Sequence, residues 1–405
     1  MNSVIIIGGN HHNTLGVIRA MGYKGVKPTV ILISNAKSNN VGKSRYIKEL
    51  IVVSNENDAL DYLLRNKENN RGAVIIACSD GASSMLDLNR DVLKPHYSVP
   101  GSSLAGRVTS IMNKQTMSEL GKAVGFTVPA SWVLDRNALN VDEVTYPCIT
   151  KPLLSITGQK SDIKICKNES ELLFALSGGY GEKYQVQQFL DKDFEYQLIG
   201  LSLNSGEVVI IPGCSRCIRP CPGTNTGYLH YESLAGVNAP VEICKKFVRE
   251  VGYSGLFSIE FLRDKKGHDY FMEMNFRNDG NAICVTASGT NLPYLWYLAN
   301  SGLDYTQELA SSTFRPVYVM PEFADFTNFV ANGKISLWCW LCDLHKTDCF
   351  MTYSKRDPMP FLQALLNMIL AIIDNKIFKR INALNKELKQ YNNMIFNKKT
   401  LNWGG

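Results

Sequence analysis

The first 110 residues alternate short apolar runs with amphipathic helical stretches, and this alternation constrains the fold more than any other feature of the chain. Residues 4–7, 28–33 and 73–77 are rich in valine and isoleucine and have the length of buried strands. Helical patterns over residues 13–21 and 58–65 separate them. Strands that alternate with helices form βαβ units, so an α/β fold that begins with a parallel sheet is expected.

A glycine pair follows the first apolar run and precedes a helix. Gly8 and Gly9 lack the spacing of the G-x-G-x-x-G motif, but a helix N-terminus at this point can bind an anion. The simpler interpretation is a tight turn that needs glycine. His11 and His12 border the turn, and the alternatives for them are substrate contact or, more simply, exposure in a loop.

Composition places the chain among ordinary globular proteins, with 45% hydrophobic and 20% charged residues. No apolar run reaches the roughly 18–20 residues that a membrane-spanning helix needs. The N-terminal apolar run is too short for a signal peptide, and the eleven cysteines lack the pattern of a secreted disulfide framework. A cytoplasmic protein is therefore expected.

The positive charge of the chain is concentrated near its end. Residues 355–405 hold nine of the 43 lysines and arginines but three of the 37 acids, so the whole net charge of +6 belongs to this segment. The main body is balanced, and a nucleic-acid partner is not expected.

From residue 113 the pattern changes to many strands with few helices. A helix is predicted from Lys114 to about Val124, because Gly125 and then Pro129 are stop signals. Further helical patterns cover residues 170–176 and 240–251. Strand patterns cover residues 146–151, 162–166, 184–190, 196–203, 208–211, 256–262 and 270–275.

The last two of these strands predict a β-hairpin that carries polar groups. They flank the turn Asp264-Lys-Lys-Gly267, so Glu260 can lie beside Glu273. Glu273, Asn275 and Arg277 are spaced by two and therefore project from one face. Carboxylate and amide oxygens are ligands that Mg²⁺ prefers, and a guanidinium binds phosphate or carboxylate oxygens. The alternative is a hairpin with ordinary exposed charges, but the intervening methionine and phenylalanine residues favour a polar face that lines a cleft.

The sequence FMEMNFRNDG, residues 271–280, resembles the E-x-N-x-R signature of ATP-grasp enzymes, particularly the branch of carbamoyl-phosphate synthase and D-aspartate ligase. The resemblance covers about residues 1–300. It implies a Rossmann-like domain over residues 1–112 and an ATP-grasp domain over residues 113–315, with a lid at about 127–190. Residues 316–405 are then a C-terminal extension with a basic amphipathic helix.

The resemblance also implies roles for individual residues in binding ATP and two Mg²⁺ ions, with Mn²⁺ as an alternative. Lys114 and Lys151 resemble the phosphate-binding lysines of the family, and Glu195 resembles the acid that binds the ribose. The segment that resembles the adenine-binding hinge consists of Gln187, Gln188, Phe189 and Leu190. The positions that resemble the metal ligands are Glu260, Glu273 and Asn275.

The lid loop departs from the family pattern. Phosphates are often wrapped by a glycine-rich loop there, whereas this loop contains the single glycine Gly158. Ser155, Thr157 and Lys160 are expected to replace some of the missing backbone donors with hydroxyl groups and a positive charge.

The activity implied is that of an ATP-dependent carboxylate–amine ligase. The substrate carboxylate attacks the γ-phosphorus, an acyl phosphate forms, and an amine displaces phosphate to give an amide. Lys151 and Arg277 stabilise the developing charge. Arg219, in an arginine-rich loop over residues 216–228, is expected to bind the substrate carboxylate. The alternatives are phosphorylation of bicarbonate or another carboxylate, and a non-catalytic nucleotide-binding regulatory protein.

Two cysteine clusters have spacings that suggest metal sites. One contains Cys214, Cys217 and Cys221; the other contains Cys339, Cys342, His345 and Cys349. The second is too tightly spaced for familiar zinc modules, and a strand-like alternation of Trp338 and Trp340 explains part of it. Buried cysteines that act as small apolar residues are the simpler interpretation.

The C-terminal segment has an apolar stretch followed by an amphipathic pattern. Residues 361–373 are almost all apolar, and from residue 377 to 395 apolar side chains recur at spacings of three and four beside a basic face. Residues 361–396 can therefore lie on the anionic inner face of a membrane, near a lipid-linked substrate. The alternatives are docking on the body of the protein and pairing in a homodimer.

Overall fold

The computed structural model describes residues 2–36, 38–135, 140–152, 164–178, 183–222, 224, 226–370 and 373. Within these ranges the chain forms a parallel sheet, a small antiparallel sheet and a large, mostly antiparallel sheet. The predicted α/β fold class is confirmed. Ser155 and Lys160, proposed for phosphate binding, lie outside the described residues, as do Thr157, Gly158 and residues 377–395.

The N-terminal part is the predicted parallel sheet, with the strand order β3-β2-β1-β4-β5. Its elements are β1 (Val4–Gly9), α1 (His12–Gly22), β2 (Thr29–Ile33), β3 (Glu49–Val53), α2 (Glu56–Arg65), β4 (Ala73–Ala77), α3 (Asp80–Leu88), α4 (Arg90–Leu93), β5 (Tyr97–Ser98) and α5 (Arg107–Ile111). Ile5 pairs with Thr29 on one side and with Ile75 on the other. The carboxyl ends of β1 and β4 therefore meet at one edge of the sheet, where α1 and α3 begin.

A small antiparallel sheet with the strand order β6-β9-β7-β8 follows. Its part of the chain contains α6 (Lys114–Val124), β6 (Ser131–Asp135), β7 (Cys148–Pro152), β8 (Lys164–Cys166), α7 (Glu169–Ser177) and β9 (Lys183–Gln188). Helix α6 begins at Lys114 as predicted, because Asn113 caps it by accepting hydrogen bonds from the backbone N–H groups of the first turn. It ends at Gly125, whose φ of 109° favours glycine.

The large sheet has the order β15-β14-β10-β12-β13-β16-β17, and a short strand pairs with β10. The elements up to the hairpin are β10 (Lys192–Leu203), β11 (Val208–Ile210), β12 (Cys214–Pro220), β13 (Gly227–Glu232), α8 (Leu234–Val237), α9 (Val241–Val251), β14 (Gly255–Asp264) and β15 (Asp269–Asn275). The hairpin forms as predicted, with Glu260 opposite Glu273. A bulge at Met272 follows, since Phe261 pairs with Phe271.

Helices and two short strands make up most of the remaining chain. They are α10 (Ile283–Ser288), α11 (Leu292–Asn300), α12 (Thr306–Ala310), β16 (Val317–Met320), α13 (Glu322–Asp325), α14 (Leu337–Lys346) and β17 (Cys349–Phe350), with a π-helical turn at Phe326–Val330 and a last helix at residues 359–370. The strand-like interpretation of Trp338 and Trp340 was wrong, because both lie in α14. Among the described residues, no helix is long and apolar enough to span a membrane.

Residues 351–357 return to the N-terminal part through a buried ion pair. Arg19 Nε lies 3.1 Å from Asp357 Oδ2, and each side chain is 1% exposed. Arg19 also donates to the carbonyl oxygens of Thr352 and Asp357, while Ser44 Oγ donates to the Asp357 carboxylate. The end of the described chain is therefore fastened to α1.

Candidate active site

A cavity of about 1080 Å³ lies where the three sheets meet. Its walls come from the carboxyl edge of the parallel sheet, from the small sheet and from β10, β12, β14 and β15. Pockets for single small ligands usually measure roughly 300–1,000 Å³, so the cavity is as large as the largest of these.

Apolar side chains of two sheets line one end of the cavity, which forms an apolar slot. The small sheet contributes Ile149 and Ile165 to this lining, and the large sheet contributes Leu262 and Met272. The hinge of residues 187–190 joins the two sheets at this end. Such a slot suits a flat aromatic ring system.

Hydrogen bonds hold the hinge in place and occupy two of its backbone N–H groups, which then cannot donate to a ligand. The N–H groups of Gln188 and Phe189 donate to the carbonyl oxygens of Ala130 and Pro147. The Gln187 side chain accepts a hydrogen bond of 2.8 Å from Lys151 Nζ. Gln187, Gln188, Phe189 and Leu190, which the sequence analysis proposed for adenine binding, all line the cavity.

Glu195 also lines the cavity and lies opposite Leu262 in the β10–β14 pairing. Its carboxylate pairs with Lys192 Nζ at 3.0 Å, and both side chains are partly exposed. A carboxylate here can accept hydrogen bonds from hydroxyl groups of a ligand.

The two predicted phosphate-binding lysines converge in the middle of the cavity. Lys114 Nζ lies 3.5 Å from Glu273 Oε2, and Lys151 projects from β7 toward the same region. Burial lowers the pKa of Lys151 to about 8, and the positive charge of Lys114 acts in the same direction. An anion between these lysines would offset both effects.

The carboxylates predicted to hold metal lie opposite each other on β14 and β15. Glu260 Oε1 accepts hydrogen bonds from Gln197 Nε2 at 3.0 Å and from Asn275 Nδ2 at 2.9 Å. Burial raises the pKa of Glu260 well above its usual value, and the neighbouring carboxylates of Glu273 and Asp279 raise it further. For Glu273, burial would raise the pKa, but Lys114, Lys151 and Arg277 lower it below its usual value.

Gln197 is a site residue that the sequence analysis missed. It lies directly opposite Glu260 in the β10–β14 pairing, and its own Oε1 accepts a hydrogen bond of 2.7 Å from Asn281. Its spacing of two from Glu195 is the signal that could have placed it on the cavity face of β10.

Arg277 lies between the hairpin and the parallel sheet. Its Nε donates to Asp80 Oδ1 at 2.8 Å, and a terminal nitrogen donates to Asn275 Oδ1 at 3.1 Å. Asp80 was not predicted as a site residue. It follows β4, and the tendency of ligand sites to gather at the carboxyl ends of parallel strands could have identified it.

The structure argues against the expectation that Arg219 binds the substrate carboxylate. Its guanidinium already pairs with Asp325 and Asp343, each at 2.8 Å. Asp325 is completely buried and also accepts a hydrogen bond from Trp340 Nε1. Arg219 therefore fastens β12 to α13 and α14, while its neighbours Pro220 and Cys221 line the cavity.

Gly8 and Gly9 are the last two residues of β1 and not a turn, and close packing is the reason that Gly8 has to be glycine. A Cβ atom on Gly8 would lie 2.5 Å from Thr14 Oγ1 and 2.7 Å from Cys78 Cβ. His11 lines the cavity, and its Nδ1 accepts a hydrogen bond from the N–H of Asn13 as the cap of α1. The expectation of two exposed loop histidines was wrong for His12, which begins α1 and whose Nε2 is buried without a hydrogen-bond partner.

The second cysteine cluster is spread over α14 and β17, and Cys339 and Cys342 are exposed. In the described part of the chain, no group of three or more histidine, cysteine, aspartate and glutamate side chains is placed to hold a metal ion. Glu260 and Glu273 supply two carboxylates only, so any cation between them needs further oxygen ligands.

Comparisons with known proteins find partial similarity in sequence and wider similarity in fold. No protein-family model matches the chain. It is 23% identical over 196 residues to the formate-dependent phosphoribosylglycinamide formyltransferase of Bacteroides thetaiotaomicron. The matched region covers 46% of this chain and 50% of that protein. The chain spans between 30% and 50% of the length of the curated relatives it matches.

Similar folds occur among solved structures. The L-amino acid ligase from Bacillus licheniformis superposes with a TM-score of 0.62 at 16% identity, covering 78% of this chain and 79% of that one. A second similar structure is the biotin carboxylase domain dimer of the Hydrogenobacter thermophilus 2-oxoglutarate carboxylase, solved with MgADP and bicarbonate. It superposes with a TM-score of 0.61 at 18% identity, and the match covers 78% of this chain and 73% of that one.

Both structures have the ATP-grasp fold, and at identities of 16% and 18% the likeness concerns the fold alone. The prediction of an ATP-grasp chain is therefore confirmed at the level of the fold.

Proposed function

We propose that this chain is an ATP- and Mg²⁺-dependent ligase that joins a carboxylate to an amine through an acyl phosphate. The observation that carries the proposal is the convergence of Lys114, Lys151, Glu260, Glu273 and Arg277 in one cavity. This set combines cations for phosphates with carboxylates for a metal, at the end of an apolar slot for a base.

The donor set fits Mg²⁺. Mg²⁺ is usually held by one or two carboxylates, with phosphate and water oxygens completing an octahedron, and Glu260, Glu273 and the Asn275 amide match that pattern. Bound metal would neutralise phosphate charge and polarise the γ-phosphoryl group. Two Mg²⁺ ions, or Mn²⁺ in their place, are proposed on the basis of the family resemblance.

The remaining residues bind and orient the reactants. Lys114 and Lys151 hold phosphate oxygens, and Lys151 carries its proton more readily once an anion is beside it. Residues 187–190 hold the base, and Glu195 binds the ribose hydroxyl groups. Arg277 stabilises the transferring phosphoryl group or the carboxylate that attacks it.

We further propose that residues 1–112, 113–315 and 316–405 are separate domains and that residues 127–190 close over the nucleotide. Closure would exclude water from the acyl phosphate. The hinge of residues 187–190 supports this proposal, since it is the point where the small sheet joins the large one.

A second candidate is phosphorylation of bicarbonate. This candidate is supported by the similar fold of the Hydrogenobacter domain, whose structure was solved with bicarbonate. A third candidate is a nucleotide-binding regulatory protein without turnover, and the departure of the lid loop from the glycine-rich pattern favours that alternative.

The test measures ADP release from MgATP with pairs of L-amino acids, with amino sugars and with bicarbonate. We expect turnover with an amino-acid or amino-sugar acceptor and a loss of at least about 100-fold in Glu273→Gln. Glu242→Gln, on the exposed face of α9, is the matched control and should retain activity. ATP binding without turnover for any acceptor would refute the enzyme proposal, and full activity of Glu273→Gln would refute the metal site.

We also propose a cytoplasmic protein that contacts an anionic lipid surface through the helix of residues 359–370. Its side chains Leu362, Leu366, Ile369 and Leu370 are exposed, as is Ile373. The sequence that follows, residues 374–405, contains seven lysines and arginines and two acids. Apolar exposure next to excess positive charge suits anionic headgroups. A second copy of the chain is the competing occupant of this face.

A further inference from the structure

Asp80 and Arg277 form an ion pair between residues 197 positions apart in the sequence. Asp80 is the first residue of α3, directly beyond the carboxyl end of β4, and Arg277 follows the metal-binding strand β15. Both side chains line the cavity. The pair therefore lies where the parallel sheet meets the proposed phosphoryl-transfer site.

The Arg277 guanidinium is held in three directions. Nε donates to Asp80 at 2.8 Å, one terminal nitrogen donates to Asn275 Oδ1 at 3.1 Å, and the other donates to the Asn278 carbonyl at 3.2 Å and lies 3.6 Å from Asp279. A planar guanidinium with partners on three sides has a fixed orientation. Asp80 is the partner that comes from the opposite part of the chain.

The backbone on both sides of this pair is also fixed. Ser83 Oγ donates to the Phe276 carbonyl at 2.6 Å, and the Asn278 N–H donates to the Ala77 carbonyl at 3.0 Å. Asn13 Nδ2 bridges to the Asn278 carbonyl at 2.8 Å. Because these bonds hold α3 against the segment after β15, the distance between Asp80 and Arg277 is set by the fold rather than by flexible side chains.

The charges at this point agree with the geometry. Burial alone would lower the pKa of Arg277, but the carboxylates of Asp80 and Asp279 raise it above its usual value. Asp80 is 33% exposed and Arg277 17%, so both charged groups are partly accessible from the cavity that they line.

We infer that Asp80 is a positioning residue that fixes the Arg277 guanidinium toward the transferring group. The inference rests on the proposed function, because it assumes that Arg277 acts on that group. The residues proposed to hold the base and the ribose, 187–190 and Glu195, belong to β9, β10 and the connection between them, whereas Asp80 begins α3 and Arg277 follows β15. Loss of Asp80 should therefore lower kcat while leaving the KM for ATP nearly unchanged.

The experiment compares Asp80→Asn, Asp80→Glu and the control Asp61→Asn, an exposed aspartate of the same parallel-sheet part that pairs only loosely with Arg65. One readout is ADP release with MgATP and pairs of L-amino acids. Loss of an orienting partner typically costs about 10- to 100-fold, so we expect that loss in kcat for Asp80→Asn, with the KM for ATP within about twofold. Asp80→Glu should recover part of the activity, and Asp61→Asn all of it.

The second readout does not depend on turnover. In protein labelled with ¹⁵N-arginine, the Arg277 Nε–H signal, assigned by its absence in Arg277→Lys, should be protected from solvent exchange in the wild type and in Asp61→Asn. It should lose at least about tenfold protection in Asp80→Asn. Unchanged protection, or an unchanged kcat in an active enzyme, would overturn the inference. If the wild type shows no turnover, the proposed function fails, and the exchange measurement still decides the role of Asp80.

Discussion

Glu260 and Glu273 face each other across the hairpin, but their surroundings move their pKa values in opposite directions. Three cationic side chains, Lys114, Lys151 and Arg277, lower that of Glu273, whereas burial and neighbouring acids raise that of Glu260. Arg277 lowers the pKa of both carboxylates, and the two lysines add to its effect at Glu273, so Glu260 has the weaker cationic compensation. A divalent cation beside Glu260 would correct this asymmetry, which is a further reason to regard the pair as a metal site.

His12 allows a test of the electrostatics at the residue scale. Burial lowers its pKa well below the usual value, and the neighbouring His11 acts in the same direction. The unfolded chain, with a histidine pKa of about 6.5, therefore binds more protons than the folded protein at mildly acidic pH. The stability contributed by neutral His12 should be present above that pH and should be lost progressively below it.

The measurement is urea unfolding of the wild type and His12→Gln at pH 7.5 and 5.5. When the pH falls from 7.5 to 5.5, the free energy of unfolding of the wild type should decrease by up to about 1.4 kcal/mol more than that of the variant. His268→Gln removes an exposed histidine and should behave like the wild type. An equal pH dependence in the wild type and His12→Gln would contradict the assignment of His12 as a buried neutral group.

At the scale of elements, the helix of residues 359–370 makes its own prediction. Leu366 and Ile369 are 49% and 44% exposed on one face. The full-length protein should bind phosphatidylcholine vesicles that contain phosphatidylglycerol, bind them less as salt increases, and ignore vesicles of phosphatidylcholine alone. Leu366→Glu combined with Ile369→Glu should reduce the bound fraction at least about tenfold in co-sedimentation.

The control for that experiment is Leu88→Glu, which changes an equally exposed leucine at the end of α3. It should leave vesicle binding unchanged. Sedimentation velocity tests the alternative that a second copy of the chain covers this face. If the protein is a dimer that Leu366→Glu converts to a monomer, and if it does not bind vesicles, the face belongs to a dimer interface.

At the scale of the whole molecule, the Arg19–Asp357 pair joins residues 338 positions apart. Both side chains are 1% exposed, so removal of one leaves an uncompensated buried charge. Asp357→Asn should lower the free energy of unfolding by about 3–5 kcal/mol, measured by urea unfolding. Adding Arg19→Met to that variant should recover part of the loss. Additive losses in the double variant would show that the two side chains are not coupled.

The elements with strong local patterns were predictable from the sequence. The strands at residues 73–77 and 270–275 and the helix from Lys114 follow from apolar runs, caps and stop signals. The facing of Glu260 and Glu273 followed from the turn between their strands. For the segment after Arg277, local patterns led to the wrong conformation in α14, where tryptophan and cysteine residues at close spacing resemble a strand.

The partners of the arginines were not predictable. Asp80, Asp325 and Asp357 lie far along the chain from Arg277, Arg219 and Arg19, and nothing in a local window indicates such pairings. An arginine near a candidate site therefore suggested substrate binding, although for Arg219 the anion is supplied by the protein itself. Long-range ion pairs depend on how the sheets pack, which a single sequence does not specify.

The fastening of residue 357 to α1 has a consequence for the order of events on the ribosome. The parallel sheet precedes residue 357 in the chain and has its own apolar core, but Arg19 lacks its counter-charge until residue 357 has been translated. In the nascent N-terminal part, Arg19 therefore stays solvated until Asp357 is available, whereas in the folded protein it is buried. Premature termination before residue 357 therefore leaves Arg19 of the parallel-sheet part without its buried partner, and such fragments are expected to be degraded by proteases.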